Sequence, residues 1–200
     1  VSDADVVIFV GGISPDLEGE DKYFVNCPGF SGGDRTTIEL PEVQRNILKA
    51  LKQAGKKVIF VNCSGSAVAL VPETQSCDAI LQAWYPGQAG GTAVADVLFG
   101  DYNPSGKLPV TFYKNTDQLP DFENYDMKGR TYRYMTETPL YPFGYGLSYT
   151  TYAYSNLKAD KTSFTADDVL TFTVDVKNTG NRIGKESVLL FSSDLIASLT

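Results

Sequence analysis

VVIFVGGISPDLEGEDKYFVNCPGFSGGDR, running from Val6 to Arg35, is the stretch that decides the fold. Its opening, Val6-Val7-Ile8-Phe9-Val10, is a short continuous apolar run that reads as a buried strand. A helical pattern begins only near Pro41, so residues 11–40 form a connection far longer than two neighbouring elements need. That connection carries Asp16, Glu18, Glu20 and Asp21, then Asp34-Arg35. It leaves the carboxyl end of a strand, where open α/β sheets place their ligand crevice. Such a loop is expected to deliver a carboxyl group to a site.

Downstream the elements alternate. Leu40-Pro41-Glu42 opens a helix, with Pro suited to a first turn. Val43, Ile47, Leu48 and Leu51 share one face at helical spacing, and Gly55 ends the pattern. Val58 to Val61 reads as a second strand, Asn62 to Ser66 as a turn, and residues 67–71 as a short helix. Residues 79–84 form a third strand, and the turn Pro86 to Gly91 leads into a helix over 91–99 with Val94, Val97 and Leu98 inward. Residues 108–113 read as a further strand. This alternation predicts a mostly parallel sheet flanked by helices, an α/β sandwich.

The character changes towards the end. Residues 115–138 are polar and aromatic and read as irregular surface chain, and 139–149, PLYPFGYGLSY, as an ordered connector. Residues 152–157, 169–176 and 187–191 are strand-like, with Leu170, Phe172, Val174 and Val176 predicting one buried face and Asn178 to Asn181 a hairpin-like turn. A β-sandwich needs about seven strands, so this is the start of one. The expected division is an α/β domain over 1–138, a connector over 139–151 and a truncated all-β sandwich segment over 152–200.

Composition removes several classes of function. A net charge of −7 argues against a nucleic-acid partner, which needs a basic face. No apolar run approaches the length of a membrane span. There is no His, which excludes Ser-His and Cys-His catalysis and His-based metal sites within the chain. The three Cys, at 27, 63 and 77, lack a CxxC and imply no disulfide framework; one pair plus a thiol or three buried free thiols both fit. Asn62-Cys63-Ser64 matches a glycosylation pattern but sits where a strand end should be buried. Val1-Ser2-Asp3 reads as a cut into a longer protein.

Four features compete for chemistry. Glu18-Gly19-Glu20-Asp21 offers paired carboxyls for general acid/base work, and equally a solvated acidic face; the Asp/Asn/Gly pattern of a calcium loop is missing. Asp34-Arg35 reads as an ion pair or a helix cap that fixes the loop's far end. Gly87 to Gly91, at a helix start, lacks the glycine spacing of a nucleotide site. Cys63-Ser64-Gly65-Ser66 lacks the GxSxG pattern of a nucleophile elbow, so these are turn residues.

Three longer motifs bring in a resemblance. Trp84-Tyr85-Pro86-Gly87-Gln88, the run Ala95 to Pro109 (ADVLFGDYNPSGKLP) and Pro139 to Tyr149 together resemble the carboxy-terminal half of family 3 glycoside hydrolases, a family of β-glucosidases and β-xylosidases. The resemblance covers the chain from about residue 3 onward. It implies an N-terminal (β/α)8-type barrel that carries an Asp nucleophile and is not in this chain, followed by the α/β-sandwich domain and a fibronectin-III-like module. It also implies a Glu on the first long loop, in an E-x-E or G-E-G pattern before a D-R pair, acting as general acid/base. Glu18 fits that place best and Glu20 second, with a longer spacer before Asp34-Arg35. The implied substrate is an oligosaccharide or β-glycoside with a terminal glucosyl or xylosyl residue, and the implied location periplasmic or secreted. No cofactor is implied. The rival reading is a non-catalytic carbohydrate-binding or scaffold module.

Overall fold

In the computed structural model, which describes residues 2–18 and 27–193, the opening apolar run becomes strand β1, Val6–Gly12. The elements that follow are β2 (Phe30–Ser31), β3 (Asp34–Arg35), α1 (Glu42–Gln53), β4 (Lys57–Cys63), α2 (Val71–Ser76), β5 (Ala79–Gln82) and α3 (Gly90–Phe99). A single 3-10 turn at Thr116–Gln118 and a short helix α4, Thr131–Tyr134, interrupt an otherwise irregular stretch. Strands β6, Tyr152–Ala159, and β7, Phe172–Asn178, come last. The sheet order is β1-β4-β5 with parallel pairing throughout, Val6 opposite Lys57 and Ile59 opposite Ala79. The fold is therefore α/β, followed by an antiparallel β pair.

The chain forms two compact units. One takes in the residues up to Val94 with Leu108–Tyr145, the other Ala95–Lys107 with Gly146–Ser192. The first holds a core of Ile13, Leu40, Leu48, Val58, Phe60, Val68, Leu70, Cys77 and Phe112. Strand β4 is its centre because it is flanked on both sides, and Val58, Phe60 and Val61 are almost fully buried. Trp84 packs edge-on to Phe112, and Tyr141 stacks on Tyr145.

Helix α1 is bolted to the end of β1 by one side chain. Gln44 Oε1 accepts from the Gly12 N–H at 2.8 Å, and Gln44 Nε2 donates to the Gly12 carbonyl at 2.7 Å. Gly12 itself has φ +126°, and a Cβ there would lie 1.9 Å from the Cys63 carbonyl oxygen. The long loop thus starts from a fixed point.

In the second unit β6 and β7 pair antiparallel, with an irregularity between Ser155 and Lys158. Asn103 organises it: its Oδ1 accepts from the Ser148 hydroxyl at 2.9 Å and the Tyr149 N–H at 2.8 Å.

Several expectations need correction. The run Val6 to Val10 is not buried on both faces: Val6, Ile8 and Val10 are 45%, 43% and 64% exposed, because β1 is an edge strand among the described residues. On α1 it is Leu48 and Leu51 that face the core, while Val43 and Ile47 lie exposed and Gln44 takes a position against β1. Residues 67–70 form no helix: Val68 to Leu70 are buried, Ala69 bridges Glu39, and the helix begins only at Val71, beside Pro72. The third strand stops at Gln82, because Trp84 has φ +57°, outside the β region. Residues 108–113 make a single bridge, Phe112 to Tyr141, rather than a strand. Residues 187–191 form no strand, and Phe172 and Val176, expected on a buried face, are 45% and 38% exposed. All three cysteines are free, and only Cys77 is buried.

Candidate active site

Three loops leave the carboxyl ends of the three parallel strands, and a side chain from each of the later two meets Glu18 on the first. The loop after β1 makes a turn in which the Leu17 and Glu18 N–H groups both donate to the Ser14 carbonyl, at 3.0 and 3.3 Å. That turn presents Glu18. The loop after β4 presents Ser66, and the chain after β5 presents Tyr85. The Ser66 hydroxyl donates to Glu18 Oε1 at 3.3 Å, and the Tyr85 hydroxyl lies 3.4 Å from Glu18 Oε2.

The fourth member is Arg35. Gly32 and Gly33, at φ +61° and +90°, form the two-residue reversal between β2 and β3, a conformation that glycine adopts without steric cost. In the hairpin Ser31 pairs with Asp34 and Phe30 with Arg35, so Asp34 and Arg35 point to opposite faces. Arg35 does not pair with Asp34, as the adjacent D-R suggested, and caps no helix. Its Nη1 reaches Glu18 Oε1 at 3.4 Å, the Ser66 hydroxyl at 2.9 Å and the Ala67 carbonyl at 3.3 Å. Its Nε donates to the Thr37 carbonyl at 3.2 Å. Burial pushes the guanidinium down from its usual value, and the Glu18 carboxylate opposes that. An arginine stays charged through shifts of this kind.

Behind the cluster lies a buried polar shelf. Asn62 and Ser64 are both 0% exposed. Asn62 Nδ2 donates to Ser64 Oγ at 3.2 Å and to Gln82 Oε1 at 2.6 Å, and Gln82 Nε2 donates to Ser64 Oγ at 3.2 Å. The Ser64 hydroxyl in turn donates to the Ser66 carbonyl at 2.9 Å. Neighbouring strands are thereby tied at the level where their loops begin. Burial of Asn62 also closes the glycosylation pattern to modification.

The result is a carboxylate held at three points, with its side chain 24% exposed. A carboxyl so held and partly exposed can exchange a proton with a bound molecule. Two surface grooves of about 330 and 520 Å³ lie beside α1, and Glu18 lines neither. Glu20, the second choice from the sequence, lies outside the described residues. Sequence reasoning named Glu18 and missed Ser66 and Tyr85 as its partners. Among the described residues no group of three His, Cys, Asp or Glu is placed to hold a metal ion, and no helix is long and apolar enough to cross a membrane.

Comparison with known proteins agrees with this architecture. Residues 1–149 match the model of the glycosyl hydrolase family 3 C-terminal domain. A xylan 1,4-β-xylosidase of Xylanibacter ruminicola is 64% identical over 189 residues, which is 94% of this chain and 22% of that protein. A periplasmic β-glucosidase of Salmonella typhimurium is 41% identical over 209 residues, 98% of this chain and 26% of the relative. Among solved structures, a β-glucosidase from Erythrobacter marinus superposes with a TM-score of 0.75 at 40% identity, over 92% of this chain and 24% of that one. The β-glucosidase 3B of Thermotoga neapolitana, in complex with glycerol, gives 0.71 at 34% identity, over 90% and 26%. The chain spans about a quarter of the length of these relatives. A parallel sheet whose strand ends gather a guarded carboxylate, matched over three quarters of its length by one family description, belongs to the C-terminal domain family of family 3 glycoside hydrolases.

Proposed function

We propose that this chain is the carboxy-terminal part of a retaining β-glycosidase that removes terminal β-linked glucosyl or xylosyl residues, and that Glu18 is its general acid/base. The observation that carries the reading is the position of Glu18: a partly exposed carboxyl on the loop after a parallel strand, held by Arg35, Ser66 and Tyr85. The named activities of the relatives, β-xylosidase and β-glucosidase, support the substrate class. The periplasmic relative supports a periplasmic or secreted location. The division into an α/β-sandwich domain over 1–138, a connector over 139–151 and a fibronectin-III-like segment over 152–200 is part of the same proposal.

The chemistry is a double displacement. A nucleophilic Asp, carried by an N-terminal barrel outside this chain, attacks the anomeric carbon. The bond to the leaving oxygen breaks as the Glu18 carboxyl gives that oxygen its proton. A glycosyl ester remains on the Asp. The Glu18 carboxylate then takes a proton from water as the water attacks the anomeric carbon, which frees the sugar and restores the acid. In a retaining pair the two carboxyls stand about 5–5.5 Å apart, so the second domain has to be close. No cofactor takes part.

The test uses the full-length protein. Glu18→Ala lowers turnover of an alkyl glycoside by about 10²- to 10⁴-fold, the range for a lost general acid/base. With a nitrophenyl glycoside, whose leaving group needs no proton, added azide restores turnover and the product is a glycosyl azide. Glu20→Ala leaves most of the turnover in place. If azide instead rescues Glu20→Ala and not Glu18→Ala, the role passes to Glu20.

A further inference from the structure

We infer that Tyr85 is a positioning residue for Glu18, its hydroxyl pivoting between the Ile13 carbonyl and Glu18 so that the carboxyl keeps a partner in both of its protonation states. The inference rests on the reading of Glu18 as acid/base.

The Tyr85 hydroxyl donates to the Ile13 carbonyl at 2.9 Å and lies 3.4 Å from Glu18 Oε2. The Gly65 N–H also faces it. A phenol has one proton to give and oxygen lone pairs to accept with. It cannot donate to Ile13 and to Glu18 together. Before a substrate binds, the protonated Glu18 carboxyl donates to the phenol oxygen while the phenol donates to Ile13, and the carboxyl O–H turns from the phenol to the leaving oxygen when that oxygen arrives. When Glu18 has given its proton away, the phenol proton turns from Ile13 to Oε2. Only a hydroxyl rotation separates the two arrangements, with no change of heavy-atom positions. The Ile13 carbonyl suits this use, since its own N–H is already tied to the Cys63 carbonyl at 2.9 Å. The residue that carries the pivot's fixed acceptor is therefore tied to β4 through its own N–H.

Two further observations point to the same ring. Trp84, the residue before Tyr85, has φ +57°, a left-handed conformation that is sterically costly for a tryptophan. Gly65 leaves room for the ring: a Cβ there would come within 2.6 Å of Tyr85 Cε2. The backbone is shaped on both sides of the phenol. Burial, and then the Glu18 carboxylate, push the phenol up from its ordinary value, so it keeps its proton in neutral solution. Ser66 and Arg35 hold the other oxygen, Oε1, where Arg35 can only donate, so Tyr85 is the hydroxyl that faces Oε2.

The experiment compares leaving groups in the full-length protein. Tyr85→Phe keeps the ring and removes the hydroxyl. If the hydroxyl positions the acid, kcat/KM falls about tenfold or more for an alkyl glycoside, whose departure needs the proton, and less than about threefold for the nitrophenyl glycoside of the same sugar. Gly65→Ala, which displaces the ring, gives the same skew. An equal loss on both substrates, or none, overturns the role of Tyr85 while leaving Glu18 untouched, provided azide still rescues Glu18→Ala. Failure of that rescue removes the acid/base reading and the role of Tyr85 together.

Discussion

Single residues fix where the site begins. Gly12 combines a positive φ with backbone contact to Cys63, so no side chain fits there. Gly12→Ala is expected to destabilise the chain by about 2 kcal/mol or more. A lower urea midpoint at unchanged slope would register it; an unchanged midpoint would mean that β1 and β4 can separate locally at no cost. The same scale shows what the sequence could and could not reveal. Glu18 was legible as a candidate because an acidic loop followed a strand and because its motif resembled a family's. Its partners were not, since Ser66 and Tyr85 lie 48 and 67 positions away and only the topology brings them together. Asp34-Arg35 misled for the opposite reason. Adjacency suggested a pair, but alternation along β3 turns the two side chains apart and leaves Arg35 for Glu18.

At the scale of elements, Asp78 links α1, β4 and the start of β5. Its Oδ1 meets Lys52 Nζ at 2.9 Å, and its Oδ2 accepts from the Val58 N–H at 2.8 Å. These bonds, the Val58 N–H foremost and then Lys52, hold the Asp78 carboxyl below its ordinary value. A carboxyl depressed in the folded state adds stability above its unfolded value, about pH 4, and that stability is lost as pH falls through the folded value. Asp78→Asn is therefore expected to lower the urea midpoint at pH 7, the gap to the parent closing only as pH falls below about 4 and through the depressed folded value. A gap that stayed constant from pH 7 to pH 2 would show that charge is not the cause. The parallel β-α-β succession itself was readable from hydrophobic period alone, as were α1 and α3. The errors fell where backbone chemistry overrode period: Pro72 delayed α2, and the positive φ of Trp84 cut β5 short.

For the whole molecule, the proposed nucleophile lies outside the chain, so these 200 residues alone should not turn over a nitrophenyl β-glucoside or β-xyloside. Release of nitrophenol that Glu18→Ala abolished would place a complete site within them. What the sequence misjudged at this scale was cover. An unbroken apolar run promises burial, yet it cannot say whether the rest of the sheet is present. Val6, Ile8 and Val10 stand open, and among the described residues β1 pairs on one side only. Such an edge is a template: its free N–H and C=O groups and bare β-branched side chains recruit any extended chain of similar make-up. Produced by itself, the polypeptide is therefore expected to associate through this edge as its concentration rises, which light scattering at increasing concentration checks.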